Sequence, residues 1–287
     1  MPEFLRIAAR IAVFGLGVTT LAACAADQPL APDAGPESGA RFSTSPSCQV
    51  SWQACPTASA RVVPNLTTGL IAYYPLRETA RDASGKGRNG IVIGSVAPAA
   101  DRFGKPYGAF AFSGGYIDIG RLGFDGDFSF SAWININEPR PGGFAVLSNL
   151  NGQGYEFLAV TCDDSNFEES PLQCTTPDSD YLRLHTNLSP CCNQSNTITA
   201  GSNLLIGGRW HHVASTYAAA TGTASLYVDG QLVKQRSGMA PTQPSGVNTR
   251  IGQSGYGGNP FFGVIDEVRV YKRALSAAEV AYLVTIP

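Results

Sequence analysis

The chain has 287 residues, with 20 Lys and Arg against 22 Asp and Glu, for a formal charge of −2 at neutral pH. No basic cluster interleaves with aromatic residues, which excludes nucleic acid as the natural partner. The 32 glycines and 19 prolines cut the chain into many short segments, so long amphipathic helices are excluded as well.

Arg6 and Arg10 precede an apolar run from Ile11 to Leu21, followed by Ala22, Ala23 and Cys24. Positive charge, a hydrophobic stretch too short to span a bilayer and then small residues are the marks of a secretory signal, here residues 1–23. Leu21-Ala22-Ala23-Cys24 also resembles the lipobox of bacterial lipoproteins, which implies cleavage before Cys24 and lipidation of that residue. The alternative is an ordinary signal cut near Ala23. Ala25, where an aspartate would signal retention, implies by the same resemblance sorting to the outer membrane, on its periplasmic or its surface face. The membrane would then be met only through the anchor.

Residues 24–65 are rich in Pro, Ala, Ser, Gly and Asp and poor in large apolar side chains, so they cannot repay the entropy of folding and read as a tether. Within it only Cys48, Trp52 and Cys55 suggest local order. The remainder, residues 66–287, suits one large all-β domain. Cys24 aside, the other cysteines of an exported chain are expected in disulfides. Cys48 and Cys55 are close enough in sequence to pair. Cys162, Cys174, Cys191 and Cys192 allow three pairings, and a strained Cys191–Cys192 bridge is the least favoured, so each of the adjacent pair is expected to reach Cys162 or Cys174, in either order. Zinc is disfavoured because Cys-x-x-Cys pairs are missing and adjacent thiolates fit poorly around one tetrahedral ion.

Strand patterns recur in chain order at Leu70 to Leu76, Ala109 to Phe112, Tyr116 to Ile119, Phe128 to Ile136, Ala145 to Ser148, Tyr155 to Val160, Tyr181 to Thr186, Trp210 to Tyr217, Ala224 to Val228, Val247 to Ile251 and Val264 to Tyr271. Turn residues separate them, which predicts a two-sheet antiparallel sandwich. Phe128 to Ile136 alternates apolar residues with Ser and Asn, so one face enters a core. Trp133 falls on the other face, open to a sugar-platform role or to packing under a covering loop. Asp229-Gly230 supplies the positive φ of a tight hairpin. Ser276-Ala277-Ala278-Glu279 reads as a capping box opening a short helix through Leu283.

Four blocks, taken together, resemble the laminin-G-like concanavalin A-type jelly rolls: Leu70 to Leu76 with Asp82-Ala83-Ser84-Gly85 and Asn89-Gly90; Tyr116 to Ile119 with Phe128 to Ile134; Gly208 to Ala214 with Leu226 to Gly230; and Gly263 to Tyr271 before Arg273-Ala274-Leu275-Ser276. The stretch at 162–193, cysteine-bearing and acidic, departs from the plain pattern as an insertion. The resemblance implies a calcium ion held by Asp82 and Asp266, with Asn89 and the carbonyls of Ser84 or Lys86 completing the oxygen shell. Asp266 shares parity with Val268 and Val270, which predicts an inward carboxylate needing either a cation or an arginine such as Arg81 or Arg88.

Catalysis finds little support. His211 and His212 face opposite sides of one strand, and Gly252-Gln253-Ser254-Gly255 lacks the final glycine and the helix of a nucleophile elbow. Asp266 and Glu267 alternate across a strand instead of forming the spaced carboxylate pair of a glycosidase. The expected function is a binding module for a glycan or for an envelope or extracellular protein, through Tyr256 and Asn259 in one loop and Asn151 and Gln153 in another. The alternatives are a structural or adhesion component of the envelope and, behind it, a glycoside hydrolase.

Overall fold

The computed structural model describes residues 63–136, 142–161, 181–186, 196–200, 204–205 and 208–287. Every described residue lies in one compact unit, Ala60–Pro287. The expectations for Cys24, Cys48, Cys55, Cys162, Cys174, Cys191 and Cys192 fall outside the described residues.

The described strands are β1 (Leu70–Tyr74), β2 (Ile91–Ile93), β3 (Val96–Ala99), β4 (Ala109–Ser113), β5 (Tyr116–Asp118), β6 (Phe128–Asn135), β7 (Gly142–Ser148), β8 (Tyr155–Thr161), β9 (Tyr181–Thr186), β10 (Thr197–Thr199), β11 (Trp210–Ala218), β12 (Thr223–Val228), β13 (Gln231–Arg236), β14 (Arg250–Ile251) and β15 (Phe262–Tyr271), followed by helix α1 (Ala277–Leu283). They form the antiparallel jelly-roll sandwich that the strand pattern predicts. One sheet runs β13-β12-β11-β6-β15-β4-β3, with β1 also paired to β15; the other runs β10-β9-β8-β7-β14-β5-β2.

The core lies between the two inner faces. In β6, Phe128, Phe130, Ala132 and Ile134 point into it, as their alternation requires. Phe128 stacks on Phe130 at 4.9 Å between ring centroids and on Tyr217 at 5.1 Å, while Tyr155 of the opposite sheet lies 4.7 Å from Phe130. The buried Tyr155 hydroxyl shares a 3.0 Å hydrogen bond with Thr249 Oγ1, so this aromatic centre leaves no cost of an unpaired phenol.

On the outer face of the eight-stranded sheet sits α1. Ser276 Oγ accepts from the Glu279 amide at 3.3 Å, and Glu279 Oε2 accepts from the Ser276 amide at 2.8 Å, the reciprocal cap that the sequence predicts. Val280 and Leu283 bury against Ala214, Tyr227, Tyr271 and Leu275. The Asp229-Gly230 turn has φ values of 49° and 79°, and a Cβ on Gly230 would stand 3.1 Å from the Ala281 Cα. Glycine is thus needed there twice, for the turn and for the close approach of the helix.

Candidate functional site

Register aligns one transverse row of side chains on the outer face of the seven-stranded sheet: Ile91, Asp118, Arg250, Ser148, Glu156, His185 and Thr197, each opposite the next. Neighbouring strands are about 4.8 Å apart, so the row crosses the sheet as a polar band. Arg250 lies over the Tyr116 ring at 4.5 Å and donates to Gln253 Oε1 at 2.9 Å and to the Ser254 carbonyl at 3.2 Å.

Glu156 is the feature of this row that sequence reasoning missed. Its flanking residues, Tyr155 and Phe157, enter the core, which sends Glu156 to the outer face, yet it is only 1% exposed. It is covered by the loop between β14 and β15. Ser254 Oγ donates to Glu156 Oε1, and Asn259 Nδ2 donates to Oε2 at 3.5 Å. Burial pushes the carboxyl up to about 7, against the opposing influence of those hydrogen bonds. Its cross-strand neighbour His185 supplies no counter-charge, because burial and Arg183 push that imidazole down to about 3.

The four loop residues expected to meet a ligand fall into two turns that touch. Asn151 and Gln153 close a tight turn with a 3.0 Å bond from the Asn151 amide to the Gln153 carbonyl, and both side chains are exposed. A Cβ on Gly255 would meet the Leu150 carbonyl at 2.7 Å, which fixes the second loop hard against the first. Ser148 Oγ ties both together, accepting from the Leu150 amide at 3.0 Å and the Gly255 amide at 3.3 Å. In the second loop Asn259 adopts φ 46°, a left-handed conformation that Asn tolerates, and its Nδ2 donates to Tyr256 Oη at 2.8 Å. Tyr256 remains 54% exposed. The structure therefore unites Tyr256 with Asn259 directly, sets Asn151 and Gln153 in the adjoining turn, and places Glu156 beneath.

The residues expected to hold calcium do not fit that ion. Asp82 Oδ1 accepts from the amides of Tyr73 at 3.0 Å and Ser84 at 2.9 Å, and Oδ2 accepts from the Arg88 amide at 3.0 Å. Burial would raise this carboxyl, but those donors outweigh it and hold it below its ordinary range. Asn89 Oδ1 is likewise occupied, by the Asp82 amide at 3.1 Å. Asp82 thus caps a turn with its lone pairs aimed at N–H groups.

Asp266 is neutralised elsewhere, by Arg102 at 3.0 Å, and not by the Arg81 or Arg88 that sequence suggested. Its parity also differs from expectation. Glu267 takes φ 55° and the register slips between Asp266 and Arg269, so a bulge turns Asp266 to the outer face opposite Trp133, away from Val268 and Val270. Trp133 packs there, 5.5 Å from the His212 ring and 4.7 Å from the Arg102 guanidinium. Glu267 is held by Arg269 at 2.6 Å, Arg77 at 3.1 Å and the Tyr73 hydroxyl at 2.6 Å. Among the described residues no three His, Cys, Asp or Glu side chains converge on a metal position. The melting temperature of the domain is accordingly expected to be the same in chelator and in millimolar calcium; a rise on adding calcium would restore the ion, since a ligand of the folded state must stabilise it.

The sequence profile of the laminin-G-type family described as the concanavalin A-like lectin/glucanases superfamily matches residues 112–281, which takes in β5 to β15 and both loops of the site and ends within α1. The chain belongs to this superfamily. No curated protein matches it in sequence. Among solved structures of the concanavalin A-like fold, domain 4 of AbnA, a GH43 extracellular arabinanase from Geobacillus stearothermophilus, was solved in complex with arabinotriose. It superposes with a TM-score of 0.55 at 19% identity, over 75% of this chain and 98% of that one. The binding domain of botulinum neurotoxin DC in complex with SialylT gives 0.55 at 14% identity, over 77% of this chain and 52% of that one. That of Paraclostridial mosquitocidal protein 1 gives 0.54 at 15%, with coverage of 77% and 52%. At such identities the likeness establishes the fold alone.

Proposed function

We propose that this chain is an exported, lipid-anchored carbohydrate-binding module, with its site on the paired loops at 149–154 and 253–260. The observation that carries the reading is the exposed Tyr256 ring, held by Asn259 in a loop whose Gly255 packs against the turn that bears the exposed Asn151 and Gln153. An aromatic face offers a platform for a sugar ring, and the amides donate to and accept from hydroxyls. Support comes from the related fold of the arabinanase domain solved with arabinotriose and the neurotoxin domain solved with SialylT. The anchor rests on Leu21-Ala22-Ala23-Cys24.

Binding is favoured over hydrolysis by spacing. The carboxylate nearest Glu156 along the polar row is Asp118, three strands away, or about 14 Å at the usual strand separation. Glycosidase pairs stand about 5–9.5 Å apart. Asp118 is also engaged, by both contacts from Asn248 Nδ2 at 3.0 Å.

The test is a glycan array that includes arabino-oligosaccharides, probed with the wild-type chain and with Tyr256→Ala. Truncating a central aromatic should weaken the best hit by about tenfold or more. Equal binding by the variant would remove the site. Silence of the wild-type chain across the array would move the reading to a protein partner, for which the exposed Ile91, Val92 and Ile93 of the sheet-end strand β2 form the apolar surface.

A further inference from the structure

The loop that carries Tyr256 and Asn259 is fastened to the sheet at two kinds of point. Backbone contacts hold its ends: the Ala145 amide donates to the Asn259 carbonyl at 3.0 Å, and the Phe261 amide to the Gly252 carbonyl at 2.8 Å. Within the loop the Ser254 and Gly257 amides close a turn at 2.9 Å each, to the Gly258 and Ser254 carbonyls. The contacts to the Ser254 and Asn259 side chains converge on one residue. Glu156 accepts from Ser254 Oγ at the start of the loop and from Asn259 Nδ2 at its end, and the same Asn259 amide group grips Tyr256 Oη. A single buried carboxylate thereby connects the sheet to both sides of the loop and, through Asn259, to the exposed ring.

The other groups around Glu156 do not duplicate this. Ser148, its neighbour on β7, reaches the backbone at Leu150 and Gly255, and His185, its neighbour on β9, bonds Thr197 Oγ1 at 2.7 Å. Arg250 contacts Gln253 and the Ser254 carbonyl. None of these contacts engages the side chains of Ser254 and Asn259. A carboxylate in a covered position is costly, and here its acceptor capacity is spent on the loop that presents the site.

We propose that Glu156 is the positioning residue of the carbohydrate site, fixing from the outer face of the sheet, beneath the loop, the angle at which Tyr256 and Asn259 are presented. It touches no ligand itself. The proposal rests on the binding reading above, yet part of its test needs no ligand. The full chain is compared as wild type, Glu156→Gln and Glu156→Leu by amide hydrogen exchange across 253–261, with β11 as the internal reference, and by affinity for the best array hit.

Gln keeps an acceptor for Ser254, and a rotated Asn259 amide can meet its NH2 group, so Glu156→Gln should exchange and bind as the wild type does. Leu removes both acceptors, and the loop should exchange about tenfold faster while β11 is unchanged. Affinity should fall by a similar factor. Because Leu also removes a buried acid, global unfolding should not become easier, which separates positioning from simple loss of structure. Loop protection in Glu156→Leu equal to that of the wild type would overturn the proposal, as would weakening of Glu156→Gln to the level of Glu156→Leu. Should no glycan bind the wild-type chain, the function fails, while the exchange comparison still decides the role of Glu156.

Discussion

Replacing Arg102 by alanine should destabilise the domain by about 3–5 kcal/mol at pH 8, the cost of leaving one half of a buried ion pair alone. The side chains of Arg102 and Asp266 are only 7% and 2% exposed. Arg102 also donates to the Ile286 carbonyl at 2.9 Å and lies 4.5 Å from the Phe103 ring, so its loss releases the chain beyond α1 as well. Burial and the adjacent Glu267 already push the Asp266 carboxyl up to about 7, with Arg102 pulling the other way. Without the guanidinium the carboxyl rises further and takes up a proton more readily, so the loss should be smaller at pH 6 than at pH 8. Adding Asp266→Asn to Arg102→Ala should recover part of it. Urea unfolding of the two single variants and the double variant provides the measurement. A cost below about 1 kcal/mol, the value of an exposed pair, would show that the contact carries no such burden.

Glu156→Gln should gain stability relative to the wild type as the pH rises. In the folded state the carboxyl is held at about 7, against 4.5 ordinarily. Between those values the folded protein keeps a proton that the unfolded chain has released, so wild-type stability falls as pH climbs through this window and levels off above it. Glutamine does not titrate. The difference between variant and wild type should therefore grow by as much as about 3 kcal/mol between pH 4.5 and pH 8.

The wild-type curve alone would conceal this. His185 and His212 are each held down at about 3 from an ordinary 6.5, so their contribution to stability rises with pH over 3 to 6.5 and opposes the carboxylates where the windows overlap. The expected wild-type profile is a steep loss below about pH 4.5 and a shallow top above it. Denaturant titrations at paired pH values test the difference; an offset between Glu156→Gln and wild type that stays constant from pH 4.5 to pH 8 would mean that the Glu156 carboxyl is not perturbed.

Much of the candidate site was legible as chemistry but not as geometry. Tyr256, Asn259, Asn151 and Gln153 stand out because aromatic and amide groups in glycine-rich turns suit hydroxyl ligands. Their grouping depends on Gly255 packing against Leu150, more than a hundred positions away along the chain. Glu156 could not be read in the same way. Alternation in β8 assigns it correctly to the outer face, where a carboxylate would be unremarkable, and it is the loop residues Ser254 and Asn259, 98 and 103 positions away, that cover it. Asp266 was misread for a different reason: a bulge at Glu267 inverts the parity that a regular strand would keep, and its partner Arg102 lies 164 positions upstream.

The same division runs through the fold. Local sequence by itself determined the central strands and the capped helix, because burial on one face writes an alternating pattern and a cap needs only residues three apart. The strands it left unread, β2, β3, β10 and β13, are the four at the ends of the two sheets. An end strand is paired along one edge only and is weakly buried: β2 is exposed throughout, β13 carries Gln231, Lys234, Gln235 and Arg236, and β3 contains Pro98. Such segments become strands because a neighbour offers hydrogen bonds, and only the tertiary structure decides which neighbour that is. The buried pairs of this protein follow the same rule, since Glu156 under its loop and Asp266 against Arg102 acquire their character from groups that the folded chain alone brings within reach.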